Sequence, residues 1–130
     1  NMKYTKKLSD IKKDIENLFE IENIGVKSRC REIVMCRNLY YVLARKYTFK
    51  SLAKIGKEIN RDHTTVIYGL SQYDNLVNYH KNILYGQIIL ERKYIDESFI
   101  KSEEDNIEVA YCDLQKNMIL TKIQMELQIN

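Results

Sequence analysis

One stretch, Arg61-Asp62-His63-Thr64-Thr65-Val66-Ile67-Tyr68, gathers the side chains of this chain best suited to recognising another molecule. An ionised Asp only accepts hydrogen bonds, His can donate or accept, and Thr offers a hydroxyl beside a methyl group. Five polar or charged residues stand together where a helix is predicted to begin. Val66, Leu70, Tyr73 and Val77 then recur at helical spacing, so one face of that helix is built for burial. A helix backed in this way can present its polar first turn to base edges in a DNA major groove.

Catalysis is a poor fit to the same residues. His63 beside Asp62 suggests a general base with an orienting carboxylate. Sequence neighbours on a helix do not face each other, however, and no nucleophile is implied. The expectation is a protein that is not an enzyme and needs no cofactor. The local alternative for the cluster is simple capping, with Asp62 as N-cap and threonines in the first turn. Capping and DNA reading are compatible.

Charge supports a polyanionic partner. The 130 residues carry 21 Lys and Arg against 18 Asp and Glu, a net +3. That small total hides an asymmetry. Residues 27–67 hold ten bases (Lys27, Arg29, Arg31, Arg37, Arg45, Lys46, Lys50, Lys54, Lys57, Arg61) and three acids (Glu32, Glu58, Asp62), a net +7. Residues 68–130 hold six bases and ten acids, a net −4. Positive charge focused around a reading helix is the footprint of nucleic acid binding.

The elements that must position these residues are helices. The chain has no Pro and four Gly, so breaks are few. A first helix is predicted from Ser9, as cap, to Ile21, with Ile11, Ile15, Leu18 and Phe19 on its buried face. Residues 23–31 read as a basic loop. A second helix is expected from Cys36 to Tyr47 with Leu39, Val42, Leu43 and Tyr47 inward. Ser51 caps a short third helix, Leu52 to Ile59, in which Gly56 admits a close neighbour. Asn60-Arg61-Asp62 forms the turn, and the fourth helix runs to Tyr79 or His80. A fifth is read from Asn82 to Asp96, an acidic interruption over Ser102–Asn106, and a last amphipathic helix from Ile107 to Ile129. His80 reads as a helix-end residue. Most of the ten tyrosines, including Tyr40, Tyr47, Tyr73 and Tyr111, fall at core spacing rather than as a platform for stacking single strands.

Other classes are disfavoured. Cys30, Cys36 and Cys112 lack zinc-knuckle spacing and read as reduced, structural thiols of a cytoplasmic protein. The longest apolar run, around Ile88-Ile89-Leu90, is far short of a membrane span, and no signal peptide follows Lys3, Lys6 and Lys7. Met2, preceded by a single Asn, is read as the natural start.

Four segments together carry a family resemblance. They are Lys27-Ser28-Arg29-Cys30-Arg31-Glu32-Ile33-Val34, Val42-Leu43-Ala44-Arg45-Lys46-Tyr47-Thr48, Ser51-Leu52-Ala53-Lys54-Ile55-Gly56-Lys57-Glu58-Ile59 and Arg61-Asp62-His63-Thr64-Thr65-Val66-Ile67. In order and spacing, the span from Ile11 to Leu90 resembles the C-terminal DNA-binding domain of the bacterial replication initiator DnaA.

The resemblance implies an all-α helix-turn-helix bundle of the Trp-repressor-like type, over residues 8–96; residues 97–130 have no counterpart in it and are read as a C-terminal helical extension of unknown role. The resemblance also implies binding to a short AT-rich duplex box. Arg37 is expected to enter the minor groove, and Asp62, His63, Thr64 and Thr65 to read bases in the major groove. Phosphate contacts are expected from Lys27, Arg29, Arg31, Lys50, Ser51, Leu52, Lys54 and Arg61. Two departures stand out: Cys36 replaces the family's usual proline before Arg37, and Asn60 alone replaces two glycines before the signature. No GxxxxGK[ST] loop occurs, so no nucleotide binding of that type is expected and the module is read as standing without the initiator's ATPase. The partner is therefore expected to be double-stranded DNA, with no membrane. The alternative is a protein-interaction module, a homodimer or partner-binding domain that keeps the fold without reading DNA.

Overall fold

A computed structural model describes residues 5–109, with side chains to residue 100. Within them the regular elements are five helices, with no strand: α1 (Leu8–Phe19), α2 (Arg31–Tyr47), α3 (Leu52–Lys57), α4 (His63–Val77) and α5 (Lys81–Val109). The chain divides between Lys93 and Tyr94, inside α5, into two units. The first holds the elements that carry the site.

The centre of the first unit is α2, which packs against α1, α3 and α4. From Met35 to Ala44 every residue except Val42 is buried. That explains why its polar–apolar periodicity is weak: a helix covered on several sides has no solvent face to mark. Buried Tyr40 donates its hydroxyl to the Ile55 carbonyl at 2.8 Å and so ties α2 to α3. α3, with six residues, is too short to persist alone. Ile55 and Ile59, both essentially inaccessible, anchor it and its exit. Each such burial is worth roughly 1.5–3 kcal/mol.

α4 lies against α2 and α3 through Val66, Gly69, Tyr73 and Val77. Gly69 is the point of closest approach, where an added Cβ would sit 2.6 Å from Asn38 Oδ1 and 2.7 Å from the Tyr41 ring. A polar chain then joins α4, α5 and α2. Tyr73 donates to Gln87 Oε1 at 2.7 Å, Gln87 donates to Glu91 Oε2 at 2.6 Å, and Tyr47 donates to Glu91 Oε1 at 2.7 Å. Lys46 pairs with the same carboxylate at 3.2 Å.

Several expected boundaries move. α1 begins at Leu8 with Lys7 before it and no side-chain cap, so Ser9 lies inside the helix. It ends at Glu20, whose left-handed backbone (φ 56°) closes the last turn. α2 starts at Arg31, five residues before the predicted Cys36. Cys30 provides no cap, so the usual start signal is missing. Cys36 is therefore a buried mid-helix residue and does not shape the helix entry. α4 stops at Val77, and α5 continues through Ser102–Asn106, where an interruption was expected. Acidic side chains do not break a helix, because Glu is a good helix former. Residues 110–130, which hold most of the predicted last helix and Tyr111, lie outside the described residues.

Candidate nucleic-acid interface

The start of α4 is built by two local devices. Asp62 is the N-cap: its Oδ1 accepts from the Thr65 backbone N–H and from the Thr65 hydroxyl, both at 2.9 Å. These bonds, the backbone one foremost, hold the Asp62 carboxyl below the usual carboxylate value. Just before it, Asn60 takes the left-handed conformation (φ 59°) that a glycine would fill with less strain. The turn thus keeps its sharpness with one residue fewer than expected of a Gly-Gly pair.

Behind this corner α3 fits closely. Ser51 caps it, its Oγ accepting from Lys54 N at 3.2 Å. Gly56 meets the turn so tightly that a Cβ there would run into the Arg61 carbonyl oxygen and lie 2.9 Å from Val66 Cγ2. The Arg61 N–H in turn donates to the Gly56 carbonyl at 2.8 Å. α3, turn and α4 therefore form a helix-turn-helix fixed by backbone contact.

On the outer side, Asp62, His63, Thr64 and Thr65 are all exposed. Ile67 and Tyr68, one turn further on, are 49% and 66% exposed and extend the same polar-to-apolar face. Two basic concavities flank this turn. One, of about 430 Å³, is lined by Lys27, Ser28, Arg29, Arg37, Asn60 and Arg61. The other, of about 640 Å³, is lined by Arg45, Lys50, Ser51, Leu52, Ile67, Leu70 and Ser71. The arrangement is a polar helix start between two cationic walls, with no carboxylate lining either wall.

A model of the bacterial DnaA helix-turn-helix matches residues 8–72, half of the chain. The chain belongs to that family. Among its DnaA relatives, the chromosomal replication initiator of Oleidesulfovibrio alaskensis is 46% identical over 57 residues, covering 44% of this chain and 12% of that protein. The initiator of Flavobacterium psychrophilum is 33% identical over 100 residues, covering 75% of this chain and 19% of that protein. That of Buchnera aphidicola is 35% identical over 79 residues, 58% and 17% respectively. The chain spans less than a fifth of the length of these DnaA proteins. No solved structure matches it.

The residues assigned by resemblance to DnaA are not all brought together. His63, Thr64 and Thr65 share the exposed first turn, and Lys50, Ser51 and Leu52 share one basic wall. Lys27 and Arg29 share the other wall, while Lys54 is exposed but lines neither, and Arg31 is exposed at the start of α2. Arg37 and Arg61 differ from the rest. Arg37 is only 7% exposed, and its guanidinium donates to the carbonyls of Ile24 (2.7 Å) and Val26. Arg61 donates to the carbonyls of Val26 (2.9 Å), Ile59 (2.8 Å), Asn60 (3.2 Å) and Gly25 (3.3 Å). Arg37 lines the same concavity as Arg29 with its guanidinium already committed to the Ile24 and Val26 carbonyls, whereas Arg29 is exposed. Sequence reading did not single out Arg45 and Ser71, which line one wall, and placed Asn60 in the turn without its left-handed backbone. Only Asn60 left a local signal, since Asn is the residue other than Gly most at ease in that conformation.

Proposed function

We propose that this chain binds double-stranded DNA sequence-specifically, with the first turn of α4 in the major groove of an AT-rich, initiator-type box. The observation that carries the reading is the exposed His63–Thr65 turn, capped by Asp62 and set between two basic walls. The curated relatives are chromosomal replication initiators, which supports a role in regulating replication or transcription.

The chemistry divides by residue. Among the described residues His63 and Thr64 form no side-chain hydrogen bond, so they offer hydrogen bonds to base edges, and the Thr methyls suit thymine methyls. Asp62 uses Oδ1 for the cap and offers its second oxygen to a cytosine amino group. Lys27, Arg29, Lys50 and Lys54 supply the salt-dependent, sequence-independent part of the affinity. The reaction is binding alone, with no cofactor, nucleotide or membrane.

Selection of random duplexes by the intact chain at ~0.15 M salt, with His63→Ala beside it, tests the reading. An enriched box that disappears in the variant supports it and supplies the target. Binding without an enriched box leaves a non-specific DNA binder.

A second reading, an interaction module or homodimer, is favoured by outward apolar side chains beyond residue 98: Phe99 and Ile100 are 66% and 56% exposed. Truncation at residue 98 separates the two. Loss of oligomerisation with DNA binding intact assigns assembly to the tail; absence of any DNA binding in the full chain favours the interaction module outright.

A further inference from the structure

Two arginines from distant parts of the sequence converge on one loop. Arg37, on α2, and Arg61, in the turn before α4, both donate to the Val26 carbonyl. Arg37 adds the Ile24 carbonyl and Arg61 the Gly25 carbonyl. Three consecutive carbonyls of the α1–α2 connection are thus held by two guanidiniums. None of the acceptors is a carboxylate, and among the described residues neither arginine forms an ion pair. Burial, and then the Arg61 charge, hold Arg37 below the usual guanidinium value.

That is an unfavourable way merely to fix a loop, since like charges at such range repel. Its geometric result is specific. The planar fork of each arginine spans neighbouring acceptors, which a lysine cannot do. Gly25 and Val26 are bound to the residue next to the N-cap of α4, and the residues that follow them, Lys27, Ser28 and Arg29, line the same concavity as Asn60 and Arg61.

We infer that Arg37 and Arg61 are positioning residues: they lock the Ile24–Val26 backbone to the start of α4, so that Lys27 and Arg29 meet the DNA backbone in fixed register with His63 and Thr64. The inference rests on the DNA-binding reading above and assigns Arg37 a role that does not require it to touch DNA. The clamp turns a basic loop into a second arm of the reading element. The two positive charges make that arm more attractive to a polyanion.

A cycle on the full chain decides it, using the duplex enriched by selection and affinities measured at several salt concentrations. In the wild type, Lys27→Ala should lower the slope of log affinity against log salt by about 0.9, the loss of one phosphate contact. In an Arg37→Gln background, Lys27→Ala should leave the slope unchanged, because the loop no longer presents the lysine. Arg37→Lys should behave like Arg37→Gln, since the fork is lost although the charge is kept. Hydrogen exchange is the second readout: amides of residues 24–28 should exchange faster in Arg37→Gln while those of α1 and α4 do not. Where thermal melting shows Arg37→Gln unfolded, Arg61→Gln takes its place and must uncouple Lys27 in the same way. An equal loss of slope from Lys27→Ala in both backgrounds would overturn the inference, as would unchanged exchange in the loop. If the wild type binds no duplex, the DNA reading fails on that result, and the positioning role falls with it whatever the exchange shows.

Discussion

At the scale of the residue, the proposed interface separates side chains that hold the backbone from side chains that form no hydrogen bond among the described residues. His63 and Thr64 are of the second kind, so His63→Ala should cost ~1–3 kcal/mol in specific binding and relax one base preference, with thermal stability unchanged. Thr65 differs because its hydroxyl is already bonded to Asp62. Thr65→Ala should reduce binding and also lower the melting temperature, since the cap loses one of its anchors. A selection experiment and a melting curve on the two variants check the distinction. Asn60, with φ 59°, has a conformational rather than a chemical role: Asn60→Ala should destabilise by about 1 kcal/mol, and Asn60→Gly should not. The thiols separate in the same manner. Cys30 is exposed, whereas burial foremost pushes the Cys36 thiol up to about 12. A maleimide should label the Cys30 peptide of the native protein and reach Cys36 only after unfolding, as read by mass spectrometry.

At the scale of the element, what was legible in the sequence depended on how far apart the partners lie. Capping by Ser51 and Asp62 involves residues three positions on, so Ser-x-x-Lys and Asp-x-x-Thr announced the starts of α3 and α4 correctly. The start of α2 was misplaced because Cys30 makes no cap and the helix is buried on nearly all sides. The burial of Arg37 was invisible: its acceptors lie 11 and 13 residues away, and in a run of basic residues one committed arginine looks like the exposed ones. Gly56 was readable as a close-contact position, and the contact proves to be with the turn itself. Gly56→Ala should therefore destabilise by several kcal/mol despite the better helix propensity of alanine. Overpacking costs typically 1–3 kcal/mol, and here the obstacle is backbone, which yields less than a side chain. Chemical denaturation measures it; a stabilised Gly56→Ala protein would refute the tight corner.

At the scale of the whole molecule, stability should depend on pH through the chain of groups around Glu91. Burial acts to raise its carboxyl, but hydrogen bonds from Tyr47, Gln87 and Lys46 outweigh this and leave it below the usual carboxylate value. A depressed folded-state value means stability that is present above the unfolded carboxylate range, about pH 4.3, and lost as pH falls through the folded value. Tyr40, Tyr47 and Tyr73 are shifted upward, burial being the largest cause for each. Their contribution is present below about pH 10 and lost as pH rises through the folded values. Melting temperature should thus be flat near neutrality and fall at both ends, and Glu91→Gln should soften the acid limb and, because Glu91 also raises Tyr47 and Tyr73, part of the alkaline one. An acid limb unaltered by Glu91→Gln would place that sensitivity elsewhere.

The contact at Gly69 has a consequence for how such a module can acquire new targets. With Asn38 and the Tyr41 ring lying where a Cβ would stand, α4 is keyed to α2 at one azimuth. Rolling the recognition helix by even a fraction of a turn would drive backbone into an aromatic ring. A lineage that drifts toward a different box therefore has one economical route, which is exchange of the outward residues at 63–65 and 67–68 on an unchanged axis. Libraries for altering specificity should randomise those positions and leave the keyed interface intact.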